Sequence, residues 1–160
     1  MAKEKIPTTQ ALRLLRRYDA KVRLLPYRYE EKGGTEVAAR ELGVAEHRVI
    51  KTIVMEDDQG HPFLVLMHGD KRVSAKNLAR AINVKRVSPC DPAAAHRHTG
   101  YKVGGISPFG TKRPLSVYME ESIKGLEEVY INAGKRGLLA AISPDEISRI
   151  LNPRFVEVAV

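Results

Sequence analysis

The sequence predicts a single α/β domain, residues 1–160, with a mixed central β-sheet flanked by short helices. Three observations predict it. The 160 residues fit one domain and can bury a sizeable core without disulfide or metal staples. Short apolar runs and short capped helical segments are mixed without strict strand–helix–strand alternation. No internal repeat, low-complexity tract or linker divides the chain.

The elements follow in order. Thr8 or Thr9 caps a first helix that places Ala11, Leu12, Leu15 and Tyr18 near one face and Arg13, Arg16 and Arg17 on the other. Lys21 to Glu30 reads as a strand interrupted by Pro26, hence an edge or a bulge. Gly33-Gly34 is a hinge, Thr35 a cap for a helix over Glu36 to Leu42, and Gly43 its left-handed stop. Val49 to Met55 and Phe63 to Met67 flank the polar turn EDDQGHP as a hairpin. Ser74 caps a helix to about Ile82, ahead of a short strand over Val84 to Val87. Asp91 caps the next helix, with Pro92 at its first position and Gly100 at its end. A strand near Leu115 to Tyr118 follows. Val129 to Asn132 and Leu138 to Ile142 are strands around the turn AGKRG. Ser143-Pro144-Asp145-Glu146 has the form of a capping box, and Phe155 to Val158 closes as a strand.

Charge narrows the partners. Lysine and arginine number 27 against 19 acidic residues, a net charge of +8 and a pI of about 9.7. That excess favours an anionic partner, nucleic acid being the commonest, although many soluble proteins are basic. Cys90 is the only cysteine, which excludes an intrachain disulfide framework and fits a reducing cytoplasm. No apolar run approaches the ~20 residues that span a bilayer, so no membrane is expected. The start, MAKEKIPTTQ, has no apolar core of a signal peptide.

Three stretches could carry chemistry. In VIKTIVM, period-two alternation puts Val49, Lys51, Ile53 and Met55 on one face of an otherwise apolar strand. A buried lone ammonium is costly, so Lys51 should open into a cleft or meet an anion. The bland alternative is an edge-strand lysine whose stem packs while its head reaches water. The run Gly104-Gly105-Ile106-Ser107-Pro108-Phe109-Gly110 exposes backbone that a ligand can approach, and successive N–H groups there can form a nest. Its spacing matches no phosphate loop, and a plain turn is the competing reading. Ala133-Gly134-Lys135-Arg136-Gly137 is a second glycine-flanked turn. With Lys71-Arg72 and Lys112-Arg113 it makes three basic pairs in turns, a footprint for a phosphate backbone if they share a face.

Other constellations do not assemble. Cys90 has no assignable base, His96 and His98 diverge, and His47, His61 and His68 lack zinc-type spacing. Neither a nucleophile elbow nor HExxH is present. Catalysis without metal or cofactor would rest on positioning and polarisation.

Four runs carry a resemblance: Val49 to Val54, Gly69-Asp70-Lys71-Arg72-Val73, Thr99 to Gly110 (TGYKVGGISPFG), and Val129 to Leu138 (VYINAGKRGL). In this order they resemble the YbaK-type aminoacyl-tRNA deacylases, trans-editing relatives of the editing domain inserted in bacterial prolyl-tRNA synthetases. The resemblance covers nearly the whole chain. It implies a compact, partly barrel-like mixed α/β fold and cleavage of a mischarged tRNA ester, with the aminoacylated tRNA 3′ end as partner and prolyl-tRNA synthetase as a second one. It places the family's strand lysine on Lys51 and its neighbouring threonine on Thr52. The loop glycines fall on Gly104 and Gly105, followed by Ile106, Ser107 and Pro108 as substrate contacts, with Tyr29 as a pocket aromatic. Gly134 falls in the last run. The chain departs from the cysteine-specific members at Asn132, where they often carry serine, which bears on amino-acid specificity.

The implied substrate is Cys-tRNA(Pro), with some action on Cys-tRNA(Cys). Cysteine and proline are similar in size, so a synthetase pocket cannot reject one by packing alone and a second site is needed. The substrate's own thiol would attack its ester and leave as a thiolactone, with Lys51 anchoring the 3′ end and the Gly104-Gly105 backbone polarising the carbonyl. Two alternatives stand beside this: deacylation of Ala- or Ser-charged tRNA by water, and a non-catalytic tRNA- or synthetase-binding module.

Overall fold

The computed structural model describes residues 8–160; the amino-terminal residues 1–7 of the stretch inspected for targeting lie outside them. Thr9 caps helix α1 (Gln10–Arg17), its hydroxyl accepting from Leu12 N–H at 3.1 Å. Ala11, Leu12 and Leu15 are buried and the arginines are exposed, as the helical spacing requires. Strand β1 is Arg23–Pro26, shorter than the Lys21–Glu30 expectation. It ends at Pro26 and lies at the edge of the sheet, where a missing N–H is tolerated. Helix α2 is Gly34–Leu42 and stops at Gly43, which takes φ 67°.

Strands β2 (Val49–Asp57) and β3 (Pro62–His68) form the central hairpin, from Ile50 opposite His68 to Glu56 opposite Pro62. Helix α3 (Ala75–Ala81) is capped by Ser74. Strand β4 is Val87–Pro89, later than the expected Val84–Val87. The reason is local: Asn83 turns left-handed at φ 60° and Val84 N–H bonds to Ala79 O, so Val84 still belongs to the α3 stop. Helix α4 (Pro92–Thr99) has Asp91 as cap and Gly100 at φ 81° as stop. Strand β5 is Ser116–Glu120, β6 is Val129–Lys135 and β7 is Leu138–Ile142. Helix α5 (Pro144–Leu151) precedes β8 (Arg154–Val156).

The α5 cap is half of a capping box. Ser143 Oγ accepts from Glu146 N–H, but the Glu146 carboxylate turns to Arg149 at 2.7 Å and to Lys21 N–H at 3.1 Å. Thr35 is also not the cap expected for α2. Gly33 holds that position, and the Thr35 hydroxyl donates instead to Glu46 Oε2 at 2.7 Å.

The domain is α/β with a mixed eight-stranded sheet in the order β1-β7-β6-β2-β3-β5-β8, with β4 on β2. The pairs β2–β6, β3–β5 and β5–β8 are parallel; the others are antiparallel. The largest core includes Leu12, Leu15, Ile50, Leu64, Leu66, Met119 and Ile131, and α1 and α5 close it. A smaller cluster gathers Ala38, Ala39, Val49, Tyr130 and Leu139 beneath α2. Among the described residues no helix is long and apolar enough to cross a membrane.

Candidate active site

The site begins with a gap in the sheet. On one edge β2 pairs with β6 only at Val49 and Ile50, and with β4 only from Met55 to Asp57. Residues 51–54 between them have no strand on that side. β6 diverges here because its own register breaks: a bulge lies between Asn132 and Lys135, with Gly134 at φ 95°. A cleft of about 460 Å³ opens at this fork. Val49, Ile50, Lys51 and Thr52 line it from β2, Asn132 from β6 and Leu139 from β7. Val103, Gly104 and Ile106 line it from the glycine loop, and Tyr27, Tyr29, Thr35 and Ala38 from the segment 27–38. Its size suits a small-molecule-sized group with a few fixed polar contacts.

Lys51 is half-buried, and its Nζ makes one long contact, 3.4 Å to Gly69 O. Burial pushes its amine below the usual lysine range; Glu46 and Asp70 oppose that shift and Arg72 adds to it. The carbonyl it meets is held from behind. The Thr35 hydroxyl lies 3.3 Å from Gly69 O, and Gly69 N–H donates to Val49 O at 2.7 Å. A Cβ on Gly69 would sit 2.7 Å from Thr35 Oγ1 and 2.8 Å from Glu46 O, so only glycine fits there. Next to Lys51, Thr52 Oγ1 is buried with no hydrogen-bond partner among the described residues. Buried hydroxyls are normally paired, and this one lies beside the cleft without a partner.

The two loop glycines separate. Gly104 lines the cleft at φ 93°, and a Cβ there would sit 2.6 Å from the Tyr29 hydroxyl. Gly105 is buried with its Cα against the Lys135–Arg136 backbone, where a Cβ would meet Arg136 N at 2.8 Å. Its N–H donates to Lys102 O at 2.8 Å, so the expected use of that N–H on a substrate carbonyl is already occupied. Asn132 ties the β6 bulge to the glycine loop. Its Oδ1 accepts from Gly134 N–H at 2.7 Å and Lys135 N–H at 3.2 Å, and its Nδ2 donates to Gly104 O at 3.2 Å. Tyr29 stands under Arg136, whose guanidinium is 5.3 Å from the ring centre and whose Nε donates to Val103 O at 2.9 Å.

Other expected contacts fall elsewhere. Ser107 and Pro108 are buried off the cleft, and Ser107 Oγ accepts from Phe109 N–H within the loop. Gly134 holds the bulge against Thr9 and Tyr101. Of the three basic pairs, Arg136 alone lines the cleft. Arg72 lies within electrostatic range of Lys51, while Lys71 is exposed. Arg113 meets His98 Nδ1 at 2.8 Å, and Lys112 lies beside Gly100 at the end of α4. The sequence reading missed Thr35, Glu46, Tyr27 and Leu139; Gly69 stood in a quoted run but without a role. Among the described residues no group of three or more His, Cys, Asp or Glu side chains could hold a metal ion.

Three comparisons bear on this geometry. Over its full length the chain is similar to the Enterococcus faecalis protein named "Putative Cys-tRNA(Pro)/Cys-tRNA(Cys) deacylase EbsC", at 28% identity over 160 residues, covering 99% of this chain and 98% of that one. A crystal structure of hypothetical protein APE2540 superposes with a TM-score of 0.87 at 22% identity, covering 95% of this chain and 100% of the other. A structure described as a putative trans-editing enzyme for prolyl tRNA synthetase gives 0.81 at 22% identity, covering 97% and 99%. These two share the fold. Residues 30–150, which hold the cleft lining apart from Tyr27 and Tyr29, match the aminoacyl-tRNA editing domain, and the chain belongs to that family.

Proposed function

We propose that the chain is a trans-editing deacylase that removes cysteine from Cys-tRNA(Pro), with Cys-tRNA(Cys) as a second substrate. The observation that carries the reading is the pairing of a half-buried amine, Lys51, with an unpartnered buried hydroxyl, Thr52 Oγ1, in the cleft of an editing-domain chain. Both are polar groups whose hydrogen-bonding capacity the protein itself leaves open. The names of the full-length relative and of the trans-editing structure support the substrate class and point to prolyl-tRNA synthetase as the source of the mischarged tRNA.

The terminal adenosine and its ester enter between the Gly104 wall and the Lys51–Thr52 floor. Lys51 draws the anionic 3′ end and stands where negative charge develops. Thr52 Oγ1 bonds the ester or the ribose. Tyr29 fills the space that a Cβ on Gly104 would take, and Asn132 fixes that wall through Gly104 O. The cysteine thiol sulfur attacks its own carbonyl carbon. The S–C bond forms, the ester C–O bond breaks, and the thiol proton passes to the ribose oxygen, leaving a four-membered thiolactone and free tRNA. The chain contributes proximity and charge, with no nucleophile of its own.

Incubation with Cys-, Ala- and Ser-charged tRNA(Pro) tests this. Cysteine is expected to be released, with thiolactone trapped by a nucleophilic amine, and the serine ester to persist. Release of alanine or serine at the rate of cysteine would replace the thiol route by water attack. Persistence of all three esters would sink the enzyme reading and leave a binding module.

A further inference from the structure

We infer that the exposed arginine stripe of α1, together with Lys112 and Lys135, is a phosphate-contact track for the tRNA acceptor stem whose 3′ end enters the cleft. This rests on the deacylase reading for its partner.

Three segments far apart in sequence meet at one seam beside the cleft. Thr9 at the start of α1 donates its hydroxyl to Ala133 O in the β6 bulge at 2.6 Å. Gly134 packs against Thr9 and against Tyr101, with a Cβ there only 2.9 Å from the Tyr101 ring. Gly110 lies on Gln10, where a Cβ would be 2.6 Å from the Gln10 carbonyl, and the Tyr101 hydroxyl donates to Phe109 O. Each segment then carries cations into solvent: Arg13, Arg16 and Arg17 on α1, Lys112 two residues beyond Gly110, and Lys135 one residue beyond Gly134. Arg136, next to Lys135, lines the cleft.

Four arginines elsewhere meet carboxylates: Arg23 and Arg48 at Glu128, Arg40 at Glu30, Arg149 at Glu146. Among the described residues the other arginines outside α1, Arg136 at the cleft included, do not. Among the described residues no carboxylate lies within salt-bridge distance of Arg13, Arg16, Arg17, Lys112 or Lys135, and α1 has no acidic residue in its first turn. Asp19, beyond the end of α1, lies in the field of Arg149. Arg13, Arg16 and Arg17 recur on the face opposite Ala11, Leu12 and Leu15, a stripe about 6 Å long at ~1.5 Å per residue. That length is on the scale of neighbouring phosphates along one RNA strand.

An ester seated at Lys51 places the rest of its strand at the cleft mouth, where Arg136 and Tyr29 stand. From there the seam leads onto α1. Arginine and lysine neutralising phosphates give sequence-tolerant binding with a steep salt dependence.

The test measures binding of uncharged tRNA(Pro) by fluorescence anisotropy across a NaCl series. The variant is Arg13→Gln/Arg16→Gln/Arg17→Gln, which keeps helix propensity close to that of the parent. A triple control on another face, Lys76→Gln/Lys85→Gln/Arg86→Gln, removes the same charge from exposed positions. The α1 variant is expected to lower the slope of log K against log salt by about two and weaken binding at least about tenfold, at ~0.7–0.9 per phosphate lost. The control is expected to change the slope by less than about 0.5. A second readout is the ratio of kcat/KM on Cys-tRNA(Pro) to that on a charged 3′-terminal fragment too short to reach α1; it should fall about tenfold in the α1 variant. A parental slope in the α1 variant, or equal losses in both triples, overturns the track. A reduced slope in a protein that cleaves no ester keeps the track and discards the deacylase reading.

Discussion

Glu120 and Lys51 are the two charges that enter the interior most conspicuously, and they are treated in opposite ways. Glu120 is buried at the end of β5, and its carboxylate is saturated. Val158 N–H and Ala159 N–H reach Oε1 at 2.7 and 2.9 Å, and Ser122 N–H and Oγ reach Oε2 at 3.1 and 2.8 Å. Burial opposes its ionisation, and these hydrogen bonds overcome it, holding the carboxyl below its usual range. Lys51 has a single contact at 3.4 Å, and burial dominates, pushing its amine down. A buried charge that holds a fold together is fully bonded by the fold. Lys51 is left incomplete beside a space, as the proposed function requires.

Breaking each charge tests that contrast. The largest expected effect is on Lys51. Lys51→Met should lower kcat/KM on Cys-tRNA(Pro) about a thousandfold, or ~4 kcal/mol. Its folded state should be as stable as the parent or more so, because the amine is disfavoured by burial. Steady-state kinetics beside urea melts would show the split; parental activity removes Lys51 from the site. Glu120→Gln should do the reverse. It loses ~3 kcal/mol of stability because an NH2 replaces the oxygen that accepts from Ser122 N–H and Oγ, while the folded fraction keeps its turnover.

Acid sharpens the same pair. The folded Glu120 carboxyl titrates below its unfolded value of about 4.3. Its contribution is therefore full above that value and is lost as the pH falls through the folded one. The stability gap between parent and Glu120→Gln should shrink below about pH 4, and a gap that is flat with pH would contradict the bonding described.

Smaller effects are expected on the cleft wall and floor. Gly104→Ala must hold alanine at φ 93° against Tyr29, so ~1–2 kcal/mol of stability and about tenfold of activity should go. Thr52→Val should leave urea stability within ~1 kcal/mol of the parent, since the hydroxyl has no partner to lose, yet slow deacylation several-fold. Strong destabilisation by Thr52→Val would mean that the hydroxyl is bonded after all.

Much of this was legible in the sequence, for local reasons. Lys51 breaks the apolar pattern of its own strand, and the caps Thr9, Ser74, Asp91 and Ser143 announce their helices within four residues. What was missed is non-local. Thr35 reads as a cap until Glu46 and Gly69 are folded beside it. Ser107 reads as an exposed loop hydroxyl, but it turns inward to Phe109 N–H. Gly104 and Gly105 are alike as letters and differ only in what packs against each. The fork depends on where β6 leaves β2, and no periodicity within either strand encodes that.

The parallel contact of Val49 with Tyr130 that ends at this fork joins residues 81 apart, by 130 − 49. Such closures form late, because the chain entropy of a long loop opposes them. Lys51 and Thr52 are made early in synthesis and sit in a local hairpin, but the cleft they line needs Asn132 and Leu139. The cleft is therefore incomplete in a nascent chain until its last third has emerged and docked.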